Sequence, residues 1–104
     1  MKTKQKFVLG IIAGVLLSFQ ALAAELWVDV RTAEEYATGH HPQAINIPYT
    51  EIGQKIAEFA ESKDQPINLY CRSGRRAGIA KETLEKLGYS RVSNLGGYSD
   101  VVQQ

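Results

Sequence analysis

Cysteine occurs once in the 104 residues and proline only three times. A single thiol excludes an internal disulfide, so Cys71 needs another explanation. Pro42, Pro48 and Pro66 interrupt none of the elements read below. Charge of one sign is also missing, with 12 Lys+Arg against 11 Asp+Glu. A nucleic-acid binder is basic overall, and this chain is not. Internal repeats, low-complexity tracts and long linkers are absent as well.

The longest apolar stretch, 7–19, is short for a membrane span and is weakened by Gly10, Gly14 and the following Gln20. Lys2, Lys4 and Lys6 precede it and Ala21-Leu22-Ala23 follows it. That layout reads as a secretory signal peptide over 1–23, cleaved after Ala23, with an uncleaved membrane anchor as the competing reading. No cysteine stands at the cut for lipid attachment and no twin arginine precedes the apolar stretch, so the expected route is Sec-type export. The expectation is a periplasmic or secreted protein with no membrane association once cut. Removal of three lysines leaves 9 Lys+Arg against 11 Asp+Glu, a net charge of −2 over 24–104. That length suffices for one domain.

Short apolar runs at 26–30, 44–47, 67–71 and 91–95 read as strands. Helical signals lie between them. Thr32 and Glu35 form a capping-box pattern that Gly39 ends. Ile52, Ile56, Phe59 and Ala60 recur at helical spacing over 50–60, and Ala77, Ala80, Leu84 and Leu87 mark one face of a helix stopped by Gly88. Gly96-Gly97 reads as a flexible turn into a short final segment, 98–102. Alternating strands and helices predict a single α/β domain with a mostly parallel sheet flanked by helices.

The last residue of the third strand is Cys71, and Arg72, Arg75 and Arg76 follow within five positions. Ligand sites in such sheets lie beyond the carboxyl ends of strands. The unpaired amides of the next helix and three guanidinium groups favour an anion, and the same field favours thiolate over thiol. Gly74 allows close ligand approach. A buried structural cysteine would not account for this crowding of charge. A thiolate beside an anion cradle suits phosphate-ester or arsenate chemistry, or sulfur transfer through a persulfide.

The segment Cys71-Arg72-Ser73-Gly74-Arg75-Arg76 resembles the active-site loop of the rhodanese (thiosulfate sulfurtransferase) family, in which a cysteine begins a six-residue ring. Cysteine-dependent phosphatases place their arginine six positions after the cysteine, where this chain has Ala77. WVDVRTAEEYATGHHPQAINIP and NLGGYSD resemble the family's upstream and downstream signatures. His41, Gln43 and Tyr98 depart from the commoner aliphatic, glycine and tryptophan residues.

The resemblance implies a small rhodanese-like fold and a Cys71 nucleophile that takes sulfur from thiosulfate, a small anionic donor, and passes it to a thiol or cyanide. Arg72, Ser73, Gly74, Arg75 and Arg76 would bind the donor. No cofactor is called for. A cysteine-dependent phosphatase or arsenate reductase, and a non-enzymatic persulfide carrier, remain as alternatives.

Asp29 and Arg31 read as scaffold, with Arg31 spaced to pair with Glu35. Adjacent His40 and His41 lack a cysteine or carboxylate at ligand spacing, so they read as a polar turn and no metal is implied. Tyr98 reads equally as a pocket wall or a core aromatic.

Overall fold

The computed structural model describes residues 24–103. The signal-peptide reading falls on 1–23, outside the described residues. In chain order the elements are β1 (Leu26–Asp29), α1 (Ala33–Ala37), β2 (Ala44–Asn46), α2 (Ile52–Lys55) with a following 3-10 turn (Ile56–Glu58), β3 (Ile67–Cys71), α3 (Arg75–Lys86), β4 (Val92–Gly97) and α4 (Tyr98–Val101). The four strands form one parallel sheet in the order β2-β1-β3-β4. This is the expected α/β architecture, with β3 and its Cys71 in the interior of the sheet.

Side chains alternate across a strand, and here both faces are covered. Val28 and Val30 join Ile67, Leu69 and Cys71 against Ile52, Ile56, Ala77, Ala80 and Leu84 of α2, the 3-10 turn and α3. Trp27 and Tyr70 point to the opposite face, where Ala44 and Val101 pack on them. β3 is buried at all five positions, as expected of a central parallel strand.

Three sequence expectations need correction. The helix expected over 50–60 shortens to α2 and a 3-10 turn, neither held by a capping side chain, and Phe59 is exposed rather than on the buried face. Leu87 is also exposed, because the chain leaves α3 there through Gly88 and buries Tyr89 in its stead. The last strand runs on through Gly96 and Gly97, where a flexible turn was expected. Gly97 lies opposite Cys71 in the register, and a side chain on it would strike the Arg72 carbonyl.

Candidate active site

Between β3 and α3 only Arg72, Ser73 and Gly74 carry the chain through its turn. Gly74 is the N-cap of α3, with φ 102° and no side-chain cap hydrogen bond. That left-handed backbone favours glycine, and without a capping oxygen the first amides of α3 need another acceptor. They converge on Cys71. The Gly74 amide donates to Cys71 Sγ at 2.9 Å, and the amides of Ala77, Ser73 and Arg76 also act on the sulfur.

The thiol is 1% exposed. Burial pushes its pKa up, but the four amides outweigh burial and hold it below the ordinary thiol value. The Cys71 sulfur therefore fills the place of a capping side chain. Sequence reasoning named the arginines beside the helix amides, and the leading favourable contributions come from the backbone N–H groups.

A cavity of about 490 Å³ opens at the loop, lined by Thr32, Glu35, Tyr49, Arg72, Ser73, Arg75 and Arg76. The three loop arginines are not equivalent. Arg72 and Arg75 are exposed and make no ion pair among the described residues. Arg76 is half-buried, and its fork donates to Glu35 at 2.7 Å (Nη1 to Oε1) and 3.0 Å (Nη2 to Oε2). This bidentate bond is the first cause holding Glu35 down at about 2, against the opposing effect of burial. It also raises Arg76, again against burial.

The arrangement is a ring of amides around the Cys71 sulfur, with the cationic side chains of the same loop lining a neighbouring cavity. Residues 16–104 match the Rhodanese-like domain family. The chain belongs to that family. It is 41% identical over 93 residues to the Escherichia coli thiosulfate sulfurtransferase PspE, covering 88% of this chain and 89% of that protein. It is 42% identical over 72 residues to a sulfurtransferase of Allochromatium vinosum, covering 69% of this chain and 65% of that one. Among solved structures, an E. coli rhodanese with anions superposes with a TM-score of 0.73 at 44% identity, over 75% of this chain and 92% of its own.

The remaining candidates serve the rhodanese-like scaffold. Arg31 pairs with Asp29 and not, as its spacing suggested, with Glu35. Its Nη2 lies 2.6 Å from Asp29 Oδ2 and also donates to the Gly39 carbonyl, and both charged side chains are buried. β1 carries Asp29 two residues before Arg31, so the carboxylate reaches Arg31 Nε and its backbone N–H together. Glu35, released from Arg31, completes the expected capping box with Thr32 and reaches Arg76 instead.

Tyr98 does not line the cavity just described. Its ring lies over the Arg31 guanidinium at 4.6 Å and stacks near Tyr70, on the sheet face opposite Cys71. His41 is buried rather than part of a polar surface turn. It stacks on Trp27 with centroids 4.0 Å apart, and its backbone N–H donates to the Tyr70 hydroxyl. Burial then pushes Tyr70 up to about 12.

Sequence reasoning missed two contacts at the loop. The Glu35–Arg76 pair spans 41 positions and leaves no local signal. Asn94 donates from Nδ2 to the Gly74 carbonyl at 2.9 Å, across 20 positions. The density of arginine at 72–76 does call for a counter-charge, but does not say which carboxylate supplies it.

Proposed function

We propose that this chain is an exported thiosulfate sulfurtransferase working through a Cys71 persulfide. The observation that carries the reading is the convergence of backbone amides on the buried Cys71 sulfur, which directly precedes the loop whose arginines line the cavity. Cys71 thiolate attacks the outer sulfur of thiosulfate. A sulfur–sulfur bond forms at Cys71 as the one within thiosulfate breaks, and sulfite leaves with the bonding pair, needing no proton. The amides that held the thiolate hold the persulfide. A thiol or cyanide then attacks the outer sulfur, carries it away, and returns Cys71 as thiolate. Arg72 and Arg75 attract the dianion, while Arg76, matched by Glu35, shapes the loop. The likeness to the E. coli thiosulfate sulfurtransferase PspE and the family membership support the donor assignment. The cationic, apolar and small-residue layout of 1–23 supports export.

Intact mass tests the chemistry. Reduced protein treated with thiosulfate should gain one sulfur atom, and cyanide should remove it as thiocyanate. Cys71→Ser should show neither change. A folded, reduced wild type that gains no mass would end the persulfide reading. A single charge with no repeated turnover would point to a carrier rather than an enzyme. In an exporting host, a mature chain that does not begin at Ala24 would refute the proposed cut.

A further inference from the structure

Asn94 sits on β4, an edge strand, and its exposed side chain ties two elements together. Nδ2 donates to the Gly74 carbonyl at 2.9 Å, and Oδ1 accepts the Gly96 N–H at 2.9 Å. A carbonyl only accepts and a backbone N–H only donates, so these two partners fix which way the amide faces. The amide lies against the start of α3, at ordinary contact distance. A Cβ at Gly78 would lie 3.6 Å from Nδ2, and one at Gly74 3.9 Å.

We propose that Asn94 is a positioning residue for the reaction: by holding the Gly74 carbonyl, it keeps the Gly74 N–H aimed at Cys71 Sγ. The inference rests on the reading of Cys71 as the sulfur-transfer nucleophile. Gly74, at φ 102°, has the backbone freedom to turn its amide elsewhere. The sulfur fixes one side of that residue through its N–H. The other side is held at the carbonyl, by the helical Gly78 N–H at 3.0 Å and by Asn94. Only Asn94 comes from outside the loop and α3, so it references residue 74, through the 74–75 peptide, to the sheet. Glu35 does the equivalent at the far end of the ring, through Arg76.

The test is an ultraviolet titration of the Cys71 thiolate in the full mature protein, with the Cys71→Ser spectrum subtracted to remove the tyrosines. Asn94→Ala should raise the thiol pKa by about half a unit to one unit, the scale of one neutral hydrogen bond. Persulfide formation at neutral pH should slow several-fold, with the thiosulfate dependence little changed. Asn94→Asp keeps the acceptor for Gly96 N–H but loses the donor and adds a charge. Its thiol pKa should rise further at low salt and fall back to the Asn94→Ala value, not the wild-type one, at high salt.

A wild-type thiol pKa in Asn94→Ala overturns the proposal, even if that variant melts earlier. So does a return of Asn94→Asp to the wild-type value in salt. If the wild type itself forms no persulfide, the functional reading fails instead, and the titration still reports on Asn94.

Discussion

Glu35 answers two demands with one carboxylate. Oε1 accepts the Thr32 backbone N–H at 3.1 Å, closing the capping box of α1, and also accepts Arg76 Nη1. The pair is not deeply buried, with side chains 18% and 29% exposed, so water takes part of its value. Glu35 titrates near 2 in the fold against an ordinary 4.5, so its carboxylate is favoured by folding. That stability is present above pH 4.5 and is lost as the pH falls towards 2. Glu35→Gln should therefore destabilise the protein by roughly 1–2 kcal/mol at neutral pH. In denaturant titrations at a series of pH values, the gap from wild type should close on acidification, as the wild-type carboxyl becomes neutral like the amide. A gap of constant size down to pH 3 would mean that the charge on Glu35 contributes nothing.

At the scale of elements, the site is a contact between the loop after β3 and the end of β4. Gly97 pairs with Cys71 in the register, beside a shift between Leu69 and Cys71. A Cβ there would run into the Arg72 carbonyl. Gly97→Ala should force the loop away from β4, at a cost of about 1–3 kcal/mol for an overpacked contact. Thermal denaturation should show a Tm lower by several degrees, and persulfide formation should slow because the amide ring moves off Sγ. A variant with wild-type Tm and rate would show that the loop tolerates the side chain.

This contact also marks where the sequence stopped being informative. Strands and helices were legible because short apolar runs and period-3.6 burial are written locally, and Cys71 stood out because arginines and a glycine crowd it. Gly96-Gly97 read as a turn, since glycine signals flexibility and close approach alike, and only the fold tells the two apart. Arg31 was misassigned because spacing offered Glu35, whereas β1 places Asp29 beside it inside the protein.

For the whole molecule, charge works against the proposed substrate. The 24–104 chain carries a net −2, so its overall charge does not draw a dianion in, and capture falls to local cations at the mouth. There Arg72 and Arg75 are exposed, and Arg76 is matched by Glu35. Attraction that depends on two exposed cations is short-ranged and open to screening, which shrinks the Debye length from about 30 Å at 0.01 M to about 3 Å at 1 M salt. The thiosulfate KM of the wild type should rise across that range while kcat stays nearly constant, because salt weakens capture but not the buried amide ring. The Arg72→Ala/Arg75→Ala double variant should start at the higher KM and respond little to salt. Arg76→Ala should instead resemble Glu35→Gln in losing stability, and should keep most of the salt response. If the double variant keeps the wild-type salt dependence, the dianion is drawn by Arg76 after all, and the division of labour among the three arginines is wrong. A KM in the wild type that ignores salt altogether would place the recognition in backbone amides alone.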